Sequence, residues 1–193
     1  TGSPNIVETI VKTGDYAMQC DTTGGAATAY ATFTGGNKKR ASFHLYIVTA
    51  PNADVRIIGD NGAEYASLEL TTDRYIKAYV GDTLKGTSTT QLALATWYHI
   101  SVALDATNRP VRVNINGSTE ISEATITANY VVSSYIGLLE SVTADLYFDD
   151  IAIDNAYSAT PLGDIRVARA SPKSAGTYDQ YDTHHIYTNV NEI

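Results

Sequence analysis

Between residues 97 and 104 apolar and polar positions alternate. Tyr98, Ile100, Val102 and Leu104 share one face, and Trp97, His99, Ser101 and Ala103 share the other. A period of two is that of a half-buried β-strand. Val111, Val113 and Ile115 repeat it and run into Asn116-Gly117, a pair that tolerates positive φ at both centres of a tight turn, so a β-hairpin is predicted. In the stretch LYFDDIAID the phase breaks: Leu146 and Phe148 share one face, Ile151 and Ile153 the opposite one. A β-bulge at Asp149-Asp150 returns both pairs to the core and turns two adjacent carboxylates away from the ladder.

Upstream the punctuation is similar. Residues 5–11 suggest a short first strand with imperfect alternation, and residues 16–20 a clearer one. Asp21 to Gly25 has the composition of a turn, after which residues 30–34 form another strand ending at Gly35-Gly36. Lys38-Lys39-Arg40, beside those glycines, is expected to be a solvated hairpin tip. In residues 41–49, Phe43, Leu45 and Ile47 oppose His44, Tyr46 and Val48, so a central strand covered on both sides is predicted. Asp60-Asn61-Gly62 signals a second hairpin. Tyr65, Tyr75 and Tyr79 are predicted to face away from Leu68, Leu70, Ile76 and Val80, and residues 81–90 to be a polar loop. No stretch has helical periodicity. Many short strands separated by Gly, Asn and Asp predict an all-β, antiparallel two-sheet sandwich.

Beyond Asp154 the character changes. Residues 163–167 suggest one more strand, and the segment that follows is rich in Tyr, Asp, Thr and Asn but poor in aliphatic residues, too poor to build a core of its own. The division expected is a sandwich over residues 1–157 and a C-terminal extension over residues 158–193.

The motifs W-Y-H-I-S-V-A-L-D, V-R-V-N-I-N-G and F-D-D-I-A-I resemble the concanavalin A-like, or laminin-G-like, jelly-roll superfamily. The closing block, D-D-I-A-I-D, L-G-D-I-R-V-A-R, a P-x-x-x-G-x-Y segment and H-I-Y-T-N-V-N-E, resembles the end of such a domain in tailed-bacteriophage structural proteins. A tryptophan usual there is missing, with Tyr178 and Tyr181 in its neighbourhood. The resemblance implies a jelly roll with an extended C-terminal arm. It also implies a non-enzymatic virion component, on the capsid as a decoration or head-fibre protein or else in the tail, exposed on the virion surface. Its partners would be other virion proteins or copies of itself, engaged through an arm that includes Ile165, Arg166, Val167, Tyr178, Tyr181 and Tyr187. Related jelly rolls hold a structural calcium against the D-D-I strand, so Asp149 and Asp150, with Asp15 or Asp21, are the implied ligands. The alternative is that bulge carboxylates bond nearby backbone N–H groups.

Composition narrows the partners. A net charge of −8 argues against nucleic acid, and no apolar run approaches the roughly 20 residues of a membrane-spanning helix. Cys20 is the sole cysteine and alternates with Tyr16 and Met18, which predicts a buried thiol.

The alternative function is a carbohydrate-binding, lectin-like module of a secreted or surface protein, or a contact to a host surface glycan. Trp97, Tyr65, Tyr75, Tyr79 and Arg112 are the candidates, since aromatic rings stack on sugar faces while polar neighbours fix orientation. The bland reading is cross-strand packing. A glycoside hydrolase stands third: it needs two carboxyl groups at controlled separation, and Glu64 and Glu69 fall on opposite faces. Cys and His are too few and scattered for a zinc cage, and His44 and His99, within strands, read as packed or half-exposed side chains. His184-His185 lies in the extension. No enzyme motif stands out, and the expectation is a protein without catalysis.

Overall fold

The computed structural model describes residues 4–36, 38–60, 66–105, 111–123, 131–154 and 161–164. The described residues are all β with no helix: β1 (Asn5–Val7), β2 (Ala17–Gly36), β3 (Lys38–Thr49), β4 (Val55–Asp60), β5 (Ala66–Leu70), β6 (Ile76–Val80), β7 (Thr83–Thr87), β8 (Trp97–Asp105), β9 (Val111–Ile115), β10 (Ser118–Glu123) and β11 (Val131–Asp154). Every pairing is antiparallel, along the path β10-β9-β8-β3-β11-β4-β5-β6-β7, with β2 on β11 and β1 on β2.

Two long strands turn this path into a sandwich. The end of β11 pairs β3 through Asp145–Asp154, its beginning pairs β4 around Tyr135, and β2 follows it through both halves. The pair bends where the register slips between Leu138 and Val142, opposite Gly25. Gly24 at φ +84° and Gly137 at φ +128° supply backbone that a side chain would oppose, and a Cβ on Gly137 would stand 2.3 Å from the Ala27 carbonyl oxygen. One layer is therefore β2-β11-β3-β8-β9-β10 and the other β2-β11-β4-β5-β6-β7.

Inward residues of both layers form one core, with Phe43, Leu45, Ile47, Ile57, Leu68, Ile76, Ile100 and Phe148 each at 0% exposure. Each such side chain contributes about 1.5–3 kcal/mol of burial. At the far edge the layers meet through Glu120 of β10. Its carboxylate accepts hydrogen bonds from the backbone N–H and hydroxyl groups of Thr89 and Thr90. Those hydroxyls, chiefly, pull its pKa down to about 2.

Several expectations hold. Asn116 and Gly117 have φ of +50° and +81° in the β9–β10 hairpin. The bulge is present: β11 slips against β3 between Asp149 and Ala152, Asp150 sits at φ +49°, and Ile151 and Ile153 pack against the core with Leu146 and Phe148. β3 is central, between β11 and β8. Cys20 is fully buried, and burial pushes its thiol up to about 12.

Three expectations are corrected. Asp21 to Gly25 is no turn: β2 passes through it, because Gly24-Gly25 provides the bend between layers while the ladder to β11 continues. Lys38-Lys39-Arg40 opens β3 rather than a hairpin tip, since β2 and β3 are separated by β11 and the three residues pair with β8 from Asp105 to Ala103. Residues 83–87, placed in a loop, form edge strand β7, which needs no apolar alternation because it pairs on one side only. Asn61, Gly62 and Glu64 lie outside the described residues.

Candidate functional site

The outward side chains of the β11-β3-β8-β9 layer fall into rows fixed by the ladder. Tyr147, Tyr46 and Trp97 form an aromatic row, then come Asp149, His44 and His99, then Ser42, Ser101 and Asn114, and last Asp154, Arg40, Ala103 and Arg112. The alternation that sends Leu45, Ile47 and Ile100 inward sends these residues outward. Yet Ser42, His44, His99 and Ser101 are buried, at 1%, 3%, 9% and 2% exposure. The covering element is residues 161–164. Pro161 is itself buried, the Gly163 carbonyl accepts a hydrogen bond from the Ser42 hydroxyl at 3.1 Å, and an Asp164 carboxylate oxygen stands 3.6 Å from His44 Nε2.

The polar contacts beneath this strap form a directed chain. Ser42 Oγ lies 2.8 Å from His99 Nε2, and its single proton goes to Gly163, so His99 Nε2–H is the donor in that pair. Burial, foremost, lowers the His99 pKa; the Asp164 carboxylate opposes this and His44 adds to it. The ring is therefore neutral near pH 7, with Nδ1 an acceptor. His99 is further fixed by the turn, whose Asn116 exchanges two backbone-directed bonds with it at 2.8 and 2.9 Å. His44 packs against His99 with the rings tilted and their centroids 5.2 Å apart, and meets Trp97 edge-on at 6.4 Å. Its Nδ1 is 3.2 Å from Asp150. Trp97 packs on Tyr46 at 5.2 Å. Between this face, the strap and Lys12 lies a cleft of about 530 Å³, bordered by Trp97, His99, Asn114 and Asp164.

The sequence-derived glycan candidates do not converge. Trp97 borders the cleft; Arg112 is on the same face, in its charged row. Tyr79 lies on the outer face of the other layer, where its hydroxyl donates to Glu69 at 3.3 Å, and Tyr75 directly precedes β6 in that layer. Tyr65 lies outside the described residues. Of the packed and half-exposed placements expected for strand histidines, His44 and His99 take the packed one, side by side under the cleft. Their placement opposite one another was hidden by a register between strands 55 residues apart, which no local pattern reveals. Ser42 and Asn114 were missed because short polar side chains on an outward face are unremarkable until something covers them.

Asp149 and Asp150 are committed to the N-terminal segment. Asp149 accepts from the backbone N–H groups of Lys12 at 2.7 Å, Thr13 at 3.1 Å and Asp150 at 2.7 Å, and Asp150 accepts from the Thr13 hydroxyl at 2.6 Å. Asp15 borders an adjacent hollow, while Asp21 pairs opposite Asp145, farther along the strand. Among the described residues no group of three or more His, Cys, Asp or Glu could hold a metal ion. In this arrangement the two carboxylates anchor residues 12 and 13. Of the expected assembly arm, Ile165, Arg166, Val167, Tyr178, Tyr181 and Tyr187 lie outside the described residues, as does His184-His185. Residues 161–164, which precede them, lie on the chain's own sandwich.

No family model matches the chain, and no curated protein sequence matches it. Solved structures do. The carbohydrate-binding module CBM66 from Bacillus subtilis superposes with a TM-score of 0.53 at 9% identity, over 78% of this chain and 91% of that one. A receptor-binding domain of botulinum neurotoxin type G gives 0.59 at 12%, over 80% of this chain and 42% of that one. A pentraxin from Limulus polyphemus gives 0.53 at 12%, over 72% and 75%. None of these three is a phage particle protein. At such identities the likeness speaks to architecture alone, and the chain has the concanavalin A-like jelly-roll sandwich fold.

Proposed function

We propose that this chain is a glycan-binding module that holds a sugar in the cleft between Trp97, the histidine row and the strap. The observation that carries the reading is the cleft itself, an aromatic ring beside fixed hydrogen-bonding groups on an outward sheet face. Sugars present apolar ring faces and dense hydroxyls, and a site of this make-up meets both. The presence of a carbohydrate-binding module among the fold relatives supports this reading over the virion role implied by the closing motifs. Binding without turnover is favoured, because His99 is committed to Ser42 and Asp149 to backbone N–H groups. Glu69, one of the carboxylates considered for hydrolysis, is held by Lys77 and Tyr79 on the other layer.

The test is retention of the full chain on immobilised oligosaccharides. Trp97→Ala is expected to weaken binding about tenfold or more, the loss of roughly 1.4 kcal/mol of ring contact. Tyr79→Ala, on the opposite layer, is expected to bind as the parent does. Undiminished binding by the Trp97 variant would overturn the assignment.

A further inference from the structure

Resting on the glycan reading, we propose that Asp164, carried on the strap, makes the cleft select neutral sugars over anionic ones. The strap fixes where this carboxylate stands: Pro161 is buried, Gly163 is tied to Ser42 at 3.1 Å, and the next residue brings its carboxylate to 3.6 Å from His44 Nε2. The Asp164 side chain nevertheless remains 56% exposed, so it is free to meet a ligand. A sugar hydroxyl donating to it makes a charge-assisted hydrogen bond, stronger than one to a neutral acceptor. A uronate or sialyl carboxylate in the same place meets a like charge.

The surroundings do not rescue the anion. Asp149 and Asp150 lie behind His44, with Asp150 3.2 Å from its Nδ1, so negative charge flanks the imidazole on both sides. His99 borders the cleft as well, with its Nε2 engaged by the Ser42 hydroxyl at 2.8 Å. One row away stand Arg40, which is ion-paired with Asp154, and Arg112, and neither borders the cleft. Among the described residues Lys12 is the one Lys or Arg bordering the cleft; it is exposed like Asp164, and water and salt screen both alike. Among the described residues Asp164 is the one carboxylate bordering the cleft, and it is complementary to hydroxyl donors. Specificity is a difference of affinities, and one group that attracts hydroxyl while repelling carboxylate contributes to both terms.

The experiment uses the full chain and length-matched probes: neutral glucan, mannan and fructan oligosaccharides against oligouronates, with affinities measured at 50 mM and 500 mM salt. The parent is expected to bind at least one neutral probe and to bind uronates at least about tenfold more weakly. Asp164→Asn should narrow that gap about tenfold, and Asp164→Lys should reverse the preference, both with unchanged thermal midpoints because the side chain is exposed. High salt should narrow the parent's gap and leave that of Asp164→Asn unchanged. A parent that prefers uronates, or an Asp164→Asn variant with the parent's ratio, would overturn the selectivity role while leaving glycan binding in place. Failure of the parent to bind any probe would overturn both.

Discussion

The two outer faces of the sandwich are built from the same alternation but treat their polar residues in opposite ways. On the β4-β5-β6 face, Lys77 reaches Asp54 at 2.8 Å and Glu69 at 3.3 Å, Arg56 pairs with Glu140, and these side chains remain partly in water. Opposite charges there neutralise one another at little cost and little gain. On the β3-β8-β9 face, beside the Arg40–Asp154 ion pair, Ser42, His44, His99 and Ser101 are buried, and residues 161–164 of the same chain lie against them. Burying them requires that each find a partner. The Gly163–Ser42–His99 chain meets that requirement at one spot and leaves a cleft beside it. An outward sheet face becomes a site when another segment covers part of it.

Gly137 tests the joint on which both faces depend. Gly137→Ala places a Cβ 2.3 Å from a backbone oxygen at φ +128°, and is expected to cost at least about 3 kcal/mol. That corresponds to a fall of about 10 °C in Tm, seen equally by probes on either layer. A variant of parental stability in urea denaturation would mean that the two layers are not joined through this bend.

Ser42→Ala sharpens the contrast. It leaves the His99 N–H and the Gly163 carbonyl without their shared partner, and is expected to cost about 2 kcal/mol, or about 6 °C. Lys77→Met removes two ion pairs from the opposite face and is expected to cost no more than about 0.5 kcal/mol, diminishing further at high salt. Denaturant melts of the two variants side by side check the ordering. Equal losses would mean that the strap protects nothing.

Most of the architecture was legible because it follows from local rules. Period-two alternation placed the core faces of β8 and β9 and marked β3 as central, the Asn116-Gly117 pair announced its turn, and the phase break at Asp149-Asp150 announced its bulge. What escaped depended on non-local pairing. Gly24-Gly25 reads identically whether the chain reverses or merely bends, and only the ladder from β2 to β11 separates the two. The site escaped for the same reason. Trp97 and Tyr79 look alike as outward aromatic residues, yet they stand on opposite layers. His44 and His99 look like isolated packing until β3 and β8 bring their rings to 5.2 Å. Asp164 carried no local signal at all, since its position depends on which face residues 161–164 lie against.

The long β2–β11 pair also governs the order in which the molecule can be made. The Lys12 N–H meets Asp149 across a sequence separation of 137, so neither layer can be finished until β11 has left the ribosome. At ordinary elongation rates that is a delay on the order of ten seconds. Contacts of such separation make for slow folding, during which β2 waits as a strand without its partner. Its sequence, AMQCDTTGGAATAYATFTGG, suits the wait. It is weighted toward Ala, Thr and Gly, and it carries two glycine pairs in place of a continuous aliphatic run. Strands with few large apolar residues are poor templates for aggregation. The strand that must stay open longest during synthesis is thus also among the least adhesive.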